Sequence, residues 1–265
     1  MADTSDLKSE GTKVPCGFES RRRQVFTPVS RGCVAAIRGE TRGVKADLGE
    51  RVFRNRAEAG KSLAHALGAY AGRDDVVVLG LPRGGVPVAA EVAQFLQAPL
   101  DVLVVRKLGA PGRSELAIGA IGEGGVRVLN ERLVRDLGLS PEAIDRIAAR
   151  EEGELARRVT AYRGGHEALE VGGKIVIVVD DGVATGATMR AGLQTLRVLG
   201  AERIIAAAPV GAADSVALLE DDADEVVVLE TPAWFSAVGR WYEDFGQTSD
   251  DEVRALLARH RRGSL

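Results

Sequence analysis

An α/β fold with a mostly parallel sheet is what this sequence predicts, and three observations carry the prediction. Two runs, Val76–Leu81 and Ile175–Val179, are apolar without alternation, as strands buried on both faces of a parallel sheet are. Each ends in a turn of small residues and leads into a helical pattern, Val86–Leu96 and Met189–Leu199. Further strand patterns at Arg203–Val210 and Val226–Leu229 enclose a helical one at Ala213–Glu220, so strands and helices alternate.

Composition narrows the class. A chain of 265 residues can bury a full core, and its 35 basic against 38 acidic residues, net −3, argue against a nucleic-acid partner. The two cysteines, Cys16 and Cys33, precede the patterned region, and the three histidines are scattered. Neither a disulfide framework nor a zinc site is indicated. No apolar run reaches the length of a membrane span and no signal-like apolar segment precedes the core, so a cytoplasmic protein is expected.

In chain order, residues 1–46 are polar and aperiodic and read as a disordered tail. A helix is predicted over Asn55–Tyr70, with Leu63, Leu67 and Tyr70 on one face; Arg51, Arg54 and Arg56 read as its solvated start. Leu100–Val105 reads as a strand running into Arg106-Lys107. The next stretch, Leu108–Gly125, holds six glycines and one proline, which reads as a flexible loop before a strand at Val126–Leu129. Glu131–Tyr162 is helical and charged, restarting at Ser140-Pro141 as N-cap and first helical residue, and forms an insertion over residues 131–165. The core is expected over 47–232. Residues 233–265 then form a C-terminal part with five of the eleven aromatics, and Ser249-Asp250-Asp251-Glu252 caps a last helix.

The chemistry gathers at Lys174–Thr188. Asp180 and Asp181 fall at the carboxyl end of a buried strand, an exposed position, followed by Gly182, Val183, Ala184, Thr185, Gly186, Ala187 and Thr188. That turn opens on a helix N-terminus, where backbone N–H groups bind phosphate and the two threonines add hydroxyls. It lacks the lysine of a Walker A loop. Paired carboxylates beside a phosphate cradle suit a ligand with hydroxyls and a phosphate close together, such as a ribose 5-phosphate.

Apolar strand, two acids and a Thr-Gly loop resemble the PRPP-binding motif of type I phosphoribosyltransferases. The resemblance covers about residues 50–250 and implies that family's Rossmann-like core with a flexible loop and a hood. It also implies Asp180 and Asp181 on the ribose hydroxyls, and the 182–188 loop on the 5′-phosphate. Pro82, Arg83, Gly84 and Gly85 would form the pyrophosphate loop, often built on a non-proline cis peptide. Arg106 and Lys107 match the Arg-Lys at the base of the catalytic loop of adenine phosphoribosyltransferases. Mg²⁺ is implied as cofactor, touching Asp180 and Asp181 only through water or ribose. Expected partners are PRPP, a nitrogenous acceptor and a second copy in a homodimer. The place that holds an acid in 6-oxopurine enzymes is Ala184, which disfavours hypoxanthine and guanine without selecting adenine. The hood candidate follows the last core strand, with Trp234 and Phe235 as base-stacking residues; Trp241, Tyr242 and Phe245 recur at helical spacing and read as core. A non-catalytic PRPP or nucleotide sensor remains the alternative; a PRPP-forming synthetase is disfavoured, as no separate ATP site is recognisable.

Overall fold

The computed structural model describes residues 52–263; the predicted tail and both cysteines lie outside the described residues. Helix α1 (Arg56–Ala66) is capped by Asn55, whose side chain accepts from the Glu58 N–H. Strand β1 (Val76–Gly80) leads into α2 (Gly85–Leu96), and β2 (Leu100–Val102) follows. After an intervening segment come β6 (Ile175–Val179), α5 (Ala187–Val198), β7 (Arg203–Val210), α6 (Ala213–Ala217) and β8 (Glu225–Glu230). The five strands form one parallel sheet in the order β2-β1-β6-β7-β8.

Alternation within the strands explains the layering. Val76 and Val78 of β1, with Ile175, Ile177 and Val179 of β6, join Leu63 of α1, Val92 of α2 and Leu257 near the C-terminus in one core. Val77, Leu79, Val176 and Val178 face the other side, against Met189, Leu193 and Leu196 of α5. Both faces are therefore dry, and each buried Val, Leu or Ile contributes about 1.5–3 kcal/mol. The chain order reverses direction between β1 and β6. In an open α/β sheet this switch point is where ligands bind, outside the carboxyl ends of the strands.

The segment between β2 and β6 differs from the expected loop. Val105–Ala110 (β3), Arg113–Gly122 (β4) and Arg127–Leu129 (β5) make a separate antiparallel sheet of three strands. Its glycines answer close approaches. A Cβ on Gly119 would sit 2.3 Å from the Val128 carbonyl oxygen, and one on Gly122 would sit 2.3 Å from Thr195 of α5. Leu108, Ile118 and Ile121 are fully buried, so the stretch packs despite its glycine count.

The residues that follow are helical: α3 (Glu131–Asp136), then α4 (Pro141–Arg163) behind the Ser140 cap. Its acidic side holds the small sheet, with Glu151 on Arg106 at 2.6 Å, and Glu152 and Asp145 each 2.7 Å from Arg127. The last helix, α7 (Asp250–Gly263), starts at Ser249, which accepts from the Glu252 N–H, and buries Val253 and Leu257 in the main core. Among the described residues no helix is long and apolar enough to cross a membrane.

Candidate active site

The carboxyl ends of β1 and β6 bring two of the predicted loops together. Gly84 backs directly on Asp181: a Cβ there would lie 2.0 Å from the carboxylate Oδ2. Gly85 is equally confined, since its Cβ would fall 2.5 Å from the Val179 carbonyl oxygen. Only glycine lets these two loops touch. The Pro82–Arg83 peptide bond is cis. Arg83 is exposed and its guanidinium lies 3.8 Å from Asp250.

The acidic pair is more enclosed than a strand end suggests. Asp181 is only 14 % exposed at its side chain. Its Oδ2 accepts from Arg56 Nε at 2.8 Å, its own N–H donates to Asp180 Oδ1 at 2.9 Å, and its carbonyl accepts from the Tyr242 hydroxyl at 2.6 Å. The cover comes from the start of α1 and from the segment after β8. These are laced by Phe53 N–H to the Trp241 carbonyl, and by Glu243 and Asp244 N–H to the carbonyls of Phe53 and Arg54. Burial, then the adjacent negative charge of Asp181, raises Asp180 well above the usual carboxylate range. Burial also raises Asp181, with the Arg56 cation opposing it. Burial and the two carboxylates push the Tyr242 phenol up, so it stays a donor.

The small-residue turn divides in two. Gly182 and Val183 are committed to the fold. A Cβ on Gly182 would meet Val238 at 2.5 Å, while Val183 is buried, donates to the Val210 carbonyl and accepts from Ala212. Ala184, Thr185, Ala187 and Thr188 are exposed around Gly186, whose φ of 70° sets the left-handed entry into α5. Thr185 Oγ1 accepts from the Ala187 N–H at 3.4 Å, and Ser215 ties the loop by donating to the Ala184 carbonyl at 2.7 Å. The first turn of α5 supplies N–H groups without intrahelical partners, an anion-binding arrangement.

A cleft of about 350 Å³ opens between Asp181, the Arg83-Gly84 loop and the segment before α7, lined by Arg56, Arg83, Gly84, Asp181, Phe245, Gln247 and Thr248. Arg106 does not reach it in this structure, because its guanidinium is doubly bonded to Glu151 from β3; Lys107 is exposed on the same strand. Trp234 is 88 % exposed, whereas Phe235 packs partly against the cluster of Phe53, Trp241 and Tyr242. Trp241 and Tyr242 are core, but from a single 3-10 turn (Val238–Trp241) and extended chain rather than a helix, and Phe245, expected with them in the core, is half-buried and lines the cleft. Arg56 and Tyr242 were not legible as site residues. No spacing signal links residue 56 or 242 to residue 181, and Arg56 looks like an ordinary helix start.

Residues 51–244 match the phosphoribosyl transferase domain family. The chain belongs to the phosphoribosyltransferase family. Proteins from two Mycobacterium tuberculosis strains, provisionally named phosphoribosyl transferases, are 53 % identical over 212 residues, covering 80 % of this chain and 48 % of theirs. The chain thus spans about half the length of those relatives. A crystal structure of a Thermus thermophilus protein is 45 % identical with a TM-score of 0.72, over 78 % of this chain and 98 % of that one. The resemblance seen in the sequence and the predicted α/β fold with a mostly parallel sheet both hold. In this member of the family the two motif loops meet at the switch point of the sheet.

Proposed function

We propose that this phosphoribosyltransferase moves the 5-phosphoribosyl group of PRPP to a ring nitrogen of a nucleobase and releases pyrophosphate. The observation that carries this reading is the contact of the acidic pair with the Pro82–Gly85 loop beside the open N-terminus of α5. Asp180 and Asp181 hold the ribose 2′- and 3′-hydroxyls. The 5′-phosphate sits on Ala184–Thr188, and the pyrophosphate on Arg83 and the backbone of Gly84 and Gly85. As the bond from C1′ to the pyrophosphate oxygen breaks and the C1′–N bond forms, the sugar becomes cationic, and the Asp181 carboxylate supplies the countercharge, joined by Asp180 once it gives up the proton that its burial favours. The nitrogen's proton leaves to solvent or to the pyrophosphate. Arg106 and Lys107 neutralise the leaving group once Arg106 lets go of Glu151.

Mg²⁺ fits the donor set. Two hard carboxylates stand side by side, and the described residues contain no cluster of three His, Cys, Asp or Glu that would cage an ion. That suits a cation that keeps its waters and binds substrate oxygens, with Asp180 and Asp181 reaching it through water or ribose. Bound there, it would supply charge neutralisation for the pyrophosphate. A cytoplasmic homodimer belongs to the same reading.

The deciding experiment measures pyrophosphate released from PRPP with Mg²⁺ across a panel of nucleobases and amines. Release with a nucleobase is expected; calorimetry showing no binding of PRPP or ribose 5-phosphate sinks the reading. A non-catalytic sensor is the second reading, favoured by the commitment of Arg106 to Glu151, and binding without release selects it. Thr185→Val weakens PRPP binding by about 1.5–3 kcal/mol, the worth of one hydrogen bond to a charged group, as titration calorimetry will show. For the acceptor, the exposed Trp234 indole, with Phe235 beside it, is the assigned stacking surface, which contributes about 1–3 kcal/mol per ring in nucleic-acid sites. Trp234→Ala accordingly raises the acceptor KM and leaves PRPP affinity within about twofold, a split read from steady-state kinetics.

A further inference from the structure

We propose that Arg56, at the start of α1, is a positioning residue: it fixes the rotation of the Asp181 carboxylate on the wall of the cleft, set to accept from a ligand hydroxyl. The inference rests on the transferase reading above. Its warrant is geometric. Arg56 Nε donates to Asp181 Oδ2 at 2.8 Å while Nη1 donates to the Gly246 carbonyl at 2.7 Å, so the guanidinium plane is held at two corners. Its Cζ lies 3.9 Å over the Phe245 ring, which in turn stacks on Tyr242 with centroids 5.0 Å apart. At 12 % exposure the side chain has little freedom to leave. Gly84 packs against the same carboxylate, where a Cβ would fall 2.0 Å from Oδ2 and 3.1 Å from Oδ1. The Asp181 carboxylate is thus held between a cation at the start of α1 and the Gly84 backbone, and it lines the cleft in that setting.

The sign of the charge tells which step Arg56 serves. A cation beside Asp181 opposes the stabilisation of a cationic transition state, so no rate is gained from its charge there. What it provides is an oriented carboxylate before the substrate arrives, and relief of repulsion between two adjacent acids. That contribution is equal in ground and transition states and belongs to KM. Nor is Arg56 needed to anchor α1, since the backbone bonds of Phe53 and Arg54 to residues 241–244 do that without it.

Arg56→Met, Arg56→Lys and Phe245→Leu in the full chain test this by calorimetry with ribose 5-phosphate and Mg²⁺, by PRPP kinetics and by thermal melting. Arg56→Met should weaken ribose 5-phosphate about tenfold and raise the PRPP KM in step, the low end for groups that orient a ligand-binding carboxylate. The kcat should stay within about threefold and the melting temperature should fall, since Asp181 loses its cation, while Arg56→Lys recovers most of both the affinity and the stability. Should Arg56→Met fail to fold, Phe245→Leu decides, because it removes the platform and keeps both charged partners; about threefold weaker binding is expected from it. Folded variants that bind like wild type, or a loss confined to kcat, overturn the proposal. A wild-type chain that binds no ribose 5-phosphate fails one step earlier, and takes the transferase reading down with this one.

Discussion

Asp180→Asn and Asp181→Asn are each expected to lower turnover of PRPP by at least roughly 10²-fold, the scale of removing one electrostatic stabiliser from an active site. Asparagine keeps the shape and a hydrogen-bonding oxygen but not the countercharge that a cationic sugar needs. The two variants separate on stability. Asp180 is held in its protonated direction by burial and by Asp181, so the native state binds that proton more tightly than the unfolded chain does. Where the native state holds more protons, stability falls as pH rises. The cost is absent below the unfolded carboxyl pKa of about 3.9 and complete above the raised native one. In metal-free buffer, Asp180→Asn should therefore melt higher than wild type at neutral pH, with the gain vanishing in acid. Asp181→Asn removes the carboxylate that Arg56 is bonded to, so no such gain is expected. A neutral-pH melting temperature for Asp180→Asn below wild type would refute the account of Asp180. Unchanged turnover in either variant would remove that residue from the mechanism.

The parts of this fold legible in the sequence are those whose cause is local. Ile175–Val179 and Val76–Leu81 are read as doubly buried strands because burial on both faces writes an uninterrupted apolar run, and the strands observed there, Ile175–Val179 and Val76–Gly80, are buried throughout. Ser140-Pro141 and Ser249–Glu252 mark helix starts because caps act within one turn. Glycine is ambiguous by nature. Six of them in Leu108–Gly125 read as slack, yet Gly119 and Gly122 are the places where a strand and a helix come too close for any Cβ. Counting glycines cannot distinguish freedom from crowding. The candidate site divides along the same line. The two loops are contiguous in sequence and recognisable as motifs, whereas Arg56 and Tyr242 act on residue 181 across 125 and 61 positions. Arg106 shows the converse: the motif names the residue, but its partner Glu151, on a helix 45 positions away, decides where it points.

Arg163→Met is expected to destabilise the fold by about 3–5 kcal/mol, the range for removing one partner from a buried ion cluster. Arg163 closes α4 and is 6 % exposed. Its Nε donates to Asp101 Oδ2 at 2.9 Å, Nη2 donates to the Val102 carbonyl at 2.9 Å, and Nη1 bonds Glu123. One side chain thus joins the insertion helix, the edge strand of the main sheet and the turn after β4. Methionine fills similar volume and leaves two carboxylates, of which Asp101 is 1 % exposed, without their cation. Some compensation is built in: Asp101 also accepts from the Val102 and Leu169 N–H groups, and Glu123 from the Val104 N–H. Arg261, 3.9 Å from Asp101, is too far and too exposed to take over. Set against a typical total of about 5–15 kcal/mol, the loss should lower the melting temperature by roughly 10 °C in a domain of this size. Arg163→Lys retains the charge but not the planar fork that serves three acceptors at once, so it should fall between the two. Replacing Asp101, Glu123 and Arg163 together by apolar residues should recover much of the deficit, since no charge is then left buried. Denaturant unfolding of the four proteins checks the series. An Arg163→Met midpoint indistinguishable from wild type would mean that water reaches Asp101 and Glu123, and that the three elements are joined by packing alone.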